Sequence, residues 1–218
     1  MLMVDRIIVG LLMSNSYLVF DPVIREGILI DAGDEAEKIF KNIERNRVEV
    51  KAIYATHGHF DHVLAVRELK EYLECKFYIH REDLDILMKA TIACKEITGE
   101  RCLEPPAPDE YIKDGDIVKI GGSEIKVLHT PGHTPGSVSY VLDGAVFTGD
   151  TLFAGAVGRH DLPGGNLRQL LNSLNKLLSL PEDYSVYPGH GPSTTIGVEK
   201  IYNPFVGDRG LYRESEKM

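Results

Sequence analysis

Cysteine is scarce in this 218-residue chain, and the three present, Cys75, Cys94 and Cys102, form an odd set with no CxxC pair. A disulfide framework or a thiolate metal site is therefore not expected, and the three read as core or free thiols. Basic charge is also short, with 24 Lys and Arg against 33 Asp and Glu and a net charge of −9. A chain of that sign repels phosphate backbones unless it gathers a local basic patch, and none is visible, so nucleic acid is not expected as a partner. Long apolar runs are missing as well. The longest near the start, Ile7 to Met13, is interrupted by Gly10 and is far too short to span a bilayer. It lacks the basic flank and small-residue cleavage site of an export signal, so the expectation is a soluble, cytoplasmic protein with no membrane partner. What remains is ordinary globular composition, 43% hydrophobic and 26% charged, on a chain long enough to build a proper core.

Short apolar runs at 6–10, 16–20 and 27–30, rich in Ile, Val and Tyr and broken by Asn15 and Asp21-Pro22, predict three strands. Ala36, Ile39, Phe40 and Ile43 repeat at helical spacing and predict a helix whose apolar stripe lies on that sheet. A strand at 51–55, a helix carrying Val63, Val66, Leu69 and Leu73, a strand at 76–79 and part of a helix at 84–88 follow. Residues 98–108, with three prolines, read as a loop. Gly121-Gly122 and Asp143-Gly144 then each separate two apolar runs, 117–120 from 125–128 and 138–142 from 145–147, as in antiparallel hairpins. Leu167, Leu170, Leu171, Leu174, Leu177 and Leu178 predict a helix closed by Pro181, before a strand at 185–187, a helix near 198–202 and a charged tail at 206–218. Two strand-rich halves, each with one-sided helices and no linker between them, predict a single α/β domain over 1–218. Its expected form is a four-layer α/β/β/α sandwich with a core at about 4–205.

Residues 54–62 read Tyr-Ala-Thr-His-Gly-His-Phe-Asp-His, which sets His57, His59, Asp61 and His62 between a strand and a helix. His57 and His59 point the same way at i, i+2 in an extended loop. The chain then turns, so Asp61 and His62 can face a second point, and one string can serve two metals. Further donors occur where other strands end in loops stiffened by glycine or proline. They are His133 in Thr-Pro-Gly-His-Thr-Pro-Gly, Asp150 in Phe-Thr-Gly-Asp-Thr and His190 in Tyr-Pro-Gly-His-Gly-Pro. Added to the first string, they complete a three-imidazole set and a mixed imidazole and carboxylate set, as a catalytic metal with an open position requires.

The string HxHxDH, followed in order by His133, Asp150 and His190, resembles the metallo-β-lactamase-fold hydrolases over residues 15–204. Gly-Arg-His-Asp-Leu-Pro-Gly-Gly at 158–165, and Pro-Gly-His-Gly-Pro-Ser-Thr-Thr-Ile-Gly at 188–197 with Asn203-Pro204-Phe205, are similar to its short glyoxalase II-like, hydroxyacylglutathione hydrolase-like branch. Carried over residue by residue, the resemblance implies that His57, His59 and His133 hold one ion, that Asp61, His62 and His190 hold a second, and that Asp150 bridges them. The implied cofactors are two divalent ions, zinc first, with iron or manganese as alternatives. Asp31, in Gly-Ile-Leu-Ile-Asp-Ala-Gly, would orient ligands from behind, and Asp61 would also act catalytically by orienting or deprotonating water. Arg159 and His160 are the candidate substrate contacts, while His80 and His129 match no ligand position. The implied reaction is hydrolysis of a small acyl substrate, a thioester of the hydroxyacylglutathione type, by hydroxide held between two metals. Two alternatives stay open on these residues. One is a persulfide dioxygenase with a single iron, which the HxHxDH and Gly-Arg-x-Asp strings also resemble; the other is a hydrolase of lactones or other acyl bonds.

Overall fold

The computed structural model describes residues 2–99 and 102–212. In its first half strands and helices alternate: β1 (Met3–Val9), β2 (Ser14–Phe20), β3 (Glu26–Ile30), α1 (Ala36–Asn46), β4 (Glu49–Tyr54), α2 (Val66–Leu73), β5 (Lys76–His80), α3 (Leu84–Leu87), α4 (Ala90–Thr98) and β6 (Glu110–Ile112). The second half brings β7 (Ile117–Ile120), β8 (Ser123–His129), β9 (Val138–Leu142), β10 (Ala145–Gly149), the small ribbon β11 (Leu152–Phe153) and β12 (Ala156–Val157), α5 (Leu167–Leu178), β13 (Ser185–Pro188), β14 (Thr194–Thr195) and α6 (Ile196–Tyr202). The strands form two six-stranded sheets, in the orders β1-β2-β3-β4-β5-β6 and β14-β13-β10-β9-β8-β7.

The layers follow from the two-residue period of buried strands. In β2, Leu18 and Phe20 join a core beneath α1, α2 and α4, while Tyr17 and Val19 point the other way into the space between the sheets. In β3 Leu29 and its neighbours Ile28 and Ile30 divide in the same manner. Across the middle layer Tyr17 meets Phe147 edge to face, with ring centroids 5.1 Å apart. On the far side Val146 and Val186 pack under Leu170, Leu174 and Leu177 of α5. The result is the expected α/β/β/α sandwich in one domain. Strands β3 and β4 run parallel, as do β10 and β13, and the loops bearing His57 and His190 meet at one end of the sandwich.

Four details differ from the expectation. Asn15 does not break the first strand pair; it lies inside β2, paired with Ile8, and the turn falls at 10–13. Its side-chain amide donates to the carbonyls of Pro188 and Gly191, which makes a polar residue useful in a buried strand. Beyond the helix of which 84–88 was expected to be part, a separate helix α4 begins at Ala90, and β6 follows the proline-rich segment as a parallel edge on β5, neither of them expected. Of the cysteines read as core or free thiols, Cys94 and Cys102 are instead disulfide-bonded, their Cα atoms 6.3 Å apart. Cys75 is buried and free, and burial pushes its thiol up to about 11. At the C-terminus, Val206 is buried and Tyr212 packs against the α5 and α6 layer, so packing runs beyond residue 205; residues 213–218 of the charged tail lie outside the described residues.

Candidate metal centre

Every donor singled out from the sequence sits just beyond a strand, on the rim where both sheets end. Asp31 follows β3, the His57–His62 string follows β4, and His133, Asp150 and His190 follow β8, β10 and β13. The close approach needs glycine. At Gly189 a Cβ would strike Asp150 Oδ1 and His62, so the residue before His190 can carry no side chain. The turn carrying Asp61 is tied to β2 through Ser14, whose hydroxyl donates to the Asp61 carbonyl at 2.6 Å.

The structure brings His57, His59, Asp61, His62, His133, Asp150 and His190 into one cluster, in which His57/His59/His133, His57/His62/Asp150 and Asp61/His62/His190 each converge within 4.8 Å. His59 Nδ1 lies 3.0 Å from His133 Nε2, and His62 Nε2 lies 3.3 Å from His190 Nε2. Asp61 Oδ2 is 3.1 Å from His190 Nε2 and 3.6 Å from His62 Nε2. Asp150 reaches both ways: Oδ1 is 3.5 Å from His62, and Oδ2 is 3.7 Å from His133 and 3.6 Å from His190. Around a four-coordinate ion with bonds of 2.0–2.1 Å, donor atoms stand about 3.3 Å apart, close to these separations.

Proton bookkeeping points the same way. His133 Nδ1 donates to the Arg159 carbonyl, His190 Nδ1 to the Leu12 carbonyl and His62 Nδ1 to Asp31 Oδ2, which turns each Nε2 inward. The Thr56 hydroxyl gives its proton to Asp31 Oδ2, so Thr56 Oγ1 accepts from His57 Nδ1, and His57 Nε2 also faces the cluster. Two buried atoms find no hydrogen-bond partner there, His57 Nε2 and Asp150 Oδ1. Among the described residues, the ion-pair partners of Asp31, Asp61 and Asp150 are all histidines, with no Lys or Arg among them. Buried imidazole nitrogens and carboxylates gathered without a Lys or Arg cation have the chemistry of a metal cradle. The residues fit one or two divalent ions.

The electrostatics divide the cluster. Burial, reinforced by the neighbouring imidazoles, holds His57 well below the usual histidine value and pushes His59 down to about 3. Burial also works against charge on His62 and His190, but the carboxylates beside them, Asp61 and Asp150 for both and Asp31 for His62, raise both. For Asp61, burial acts to raise the carboxyl, and His62 together with the His190 hydrogen bond overcomes it and holds it low.

Asp31 is fully buried and adopts a left-handed backbone, φ 56°. Its Oδ1 accepts from the Thr56 amide at 2.7 Å, and its Oδ2 from Thr56 Oγ1 and His62 Nδ1, both at 2.8 Å. Asp83 is the comparable residue that the sequence reading missed. Wholly buried, it accepts from the Gly58 amide (2.8 Å), the Gly136 amide (2.6 Å) and the Thr134 hydroxyl (2.7 Å), clamping the His57–His59 loop to the His133 loop. Nothing in the string Arg-Glu-Asp separates it from its exposed neighbour Glu82. Arg159 lines a cavity of about 750 Å³ that opens above the cluster, and His160 is not part of that lining. The Arg159 guanidinium is turned onto Asp161, at 2.8 and 3.0 Å. His80 and His129 lie apart from the cluster, their rings stacked at 4.3 Å and 15°. They and Glu82 also converge within 4.8 Å, but parallel rings run their in-plane lone pairs side by side instead of toward one ion.

The family model described as the metallo-beta-lactamase superfamily matches residues 9–190. The chain belongs to the metallo-β-lactamase superfamily. Fold and cluster together make it a metal-dependent hydrolase of that superfamily. Among curated superfamily members it is 35% identical over 200 residues to the hydroxyacylglutathione hydrolase GloC of Haemophilus influenzae, covering 90% of this chain and 94% of that one. Among solved superfamily structures, the B3 metallo-β-lactamase BLEG-1 superposes with a TM-score of 0.87 at 36% identity, covering 94% and 99% of the two chains. TTHA1623, in a di-iron-bound form, gives 0.84 at 41% identity over 92% and 99%. ETHE1 from Myxococcus xanthus gives 0.77 at 29% identity over 94% and 84%. No helix among the described residues is long and apolar enough to cross a membrane.

Proposed function

We propose that this superfamily member is a two-metal hydrolase of small acyl substrates, with thioesters of the hydroxyacylglutathione type as its leading class. The observation that carries the reading is the convergence of imidazole and carboxylate donors around two partnerless buried atoms, His57 Nε2 and Asp150 Oδ1. In this reading His57, His59 and His133 would hold one ion, Asp61, His62 and His190 would hold the other, and Asp150, whose carboxylate lies within 3.7 Å of His133 on one side and of His62 and His190 on the other, would span them. Zinc is the first choice for imidazole with carboxylate, and iron and manganese suit the same donors; the di-iron form of TTHA1623 supports a two-metal reading. Bound divalent ions supply a water whose pKa is lowered toward neutrality and polarise an acyl carbonyl.

The chain's own residues do the rest. Asp31 and the Arg159 carbonyl fix the tautomers of His62 and His133 and hold their rings in place. Asp61, kept ionised and 13% exposed on the cavity floor, orients the attacking water as an acceptor and takes its proton. The likeness to GloC supports the thioester class. Net charge −9 supports a small-molecule substrate over nucleic acid, and the reading sites the reaction in the cytoplasm. The Cys94–Cys102 bond is the feature at odds with that compartment.

Metal content per chain, measured by plasma mass spectrometry on protein purified without chelator or added metal, tests the reading. Two metals per chain with cleavage of S-lactoylglutathione support it. The HxHxDH and Gly-Arg-x-Asp strings, which also resemble those of a persulfide dioxygenase with a single iron, favour a second reading. One iron per chain, with oxygen uptake on glutathione persulfide, would replace the first reading by the second. The likeness to BLEG-1 keeps other acyl bonds, lactones and β-lactams, in the same assay panel.

A further inference from the structure

The cavity above the cluster has a floor and a wall of opposite character. His59, Asp61, His133, Asp150 and His190 form the polar floor. One wall is built by α3 and α4, which turn Ile86, Ala90, Ala93 and Ile97 toward the space, and Val157 and Leu162 also line it. Ile92 and Ile97 are 58% and 62% exposed at this wall, apolar side chains that α4 leaves in water. Charge is sparse. Among the described lining residues the Lys and Arg side chains are Lys89 and Arg159; Glu96 shares the helix of the first, and Asp161 engages the second. A short hydroxyacyl group would find neither partners for its hydroxyl nor enough substance to fill about 750 Å³ at this wall.

We propose that the α3–α4 wall makes the site selective for an apolar acyl chain of several carbons, with Ala93 and Ile97 as specificity-determining residues. The proposal rests on the acyl-hydrolase reading and revises its leading class, replacing the hydroxyacyl group by an apolar acyl chain. Each methylene moved from water onto the wall is worth roughly fourfold in affinity or in kcat/KM, until the chain outgrows the cavity.

Two series on the metal-loaded protein test it. In the first, kcat/KM is measured for glutathione thioesters with lactoyl, acetyl, butyryl, hexanoyl and octanoyl groups. In the second, calorimetry gives the affinity of alkyl hydroxamates from acetohydroxamate to octanohydroxamate, which reports on the wall without turnover. Both are expected to climb with chain length, and Ile97→Asp or Ala93→Phe is expected to shrink the octanoyl-to-acetyl ratio at least tenfold. Ile97 is exposed, so its variant keeps the fold. Flat or falling series, or lactoyl exceeding octanoyl, overturn the proposal while leaving thioester hydrolysis standing. Rising hydroxamate affinity with no thioester cleaved leaves the wall selective and removes the thioester reading. A wall covered by a second copy of the chain, seen as a dimer in sedimentation that octanohydroxamate does not dissociate, also overturns it.

Discussion

His57, His59 and His133 meet as three imidazoles, with His57 and His133 turned inward by a hydroxyl and a carbonyl, and with His57 and His59 held well below the usual histidine value by burial and the neighbouring imidazoles. Across the cluster Asp61, His62 and His190 meet as two imidazoles and a carboxylate, with Asp31 behind His62, and there the acids draw positive charge onto the histidines. A cation arriving on the first side finds three ready lone pairs. On the second it finds more negative charge to neutralise, and protons to displace first. In the proposed two-metal reading the two positions are expected to differ in affinity, and occupancy to build up one ion at a time.

Removing the group between the sides breaks the comparison outright. Asp150→Ala is expected to lose at least one ion and to slow hydrolysis by more than the ~10–100-fold that loss of an outer partner costs. Metal analysis beside the rate checks this, and a variant that keeps both ions would refute the bridging role. Removing a donor from one side sharpens the contrast. His190→Ala should drop metal content from two to one while the imidazole side stays loaded, and the same variant retaining full metal and full activity would dismiss the carboxylate side as a metal position. The props behind each side come next. Asp31→Asn touches His62 directly and His57 through Thr56, so it should weaken both ions by about 10–100-fold in a chelator competition. Asp83→Asn loosens only the clamp between the His57–His59 and His133 loops and should weaken one ion by a similar factor, with equal losses at both arguing against a divided site. The smallest effect belongs to Arg159→Ala. His133 is held by the carbonyl of that residue, and its guanidinium pairs with Asp161 on the exposed surface, so metal content and melting temperature should not change.

Much of this was legible because the relevant signals are local. Leu18, Val19 and Phe20 declare a strand buried on both faces, and the leucines of 167–178 declare the stripe of α5. The donors stood out because strand-end loops compress His and Asp into short strings rich in glycine. Asp83 did not stand out, because its role is created by Gly58, Thr134 and Gly136, which come near it only on folding. Asn15 looked like a turn residue for the same reason, its amide serving carbonyls more than 170 positions away. Helix α4 escaped because Ile92 and Ile97 face open space while Cys94 faces the core, which leaves no continuous apolar stripe. The pairing of Cys94 with Cys102 is hidden by an odd cysteine count and by a separation of 8 residues that matches no CxxC pair.

The donors hang from the ends of β3, β4, β8, β10 and β13, strands drawn from both sheets, whereas the α3–α4 wall of the cavity belongs to a single excursion of the chain between β5 and β6. In the proposed reading, metal chemistry and the selection of the acyl chain are thus written on separate stretches of polypeptide. A lineage can lengthen, shorten or repaint the excursion and acquire a new diet while the reacting hardware descends unaltered. The fold keeps one reaction and leaves its clientele open to revision.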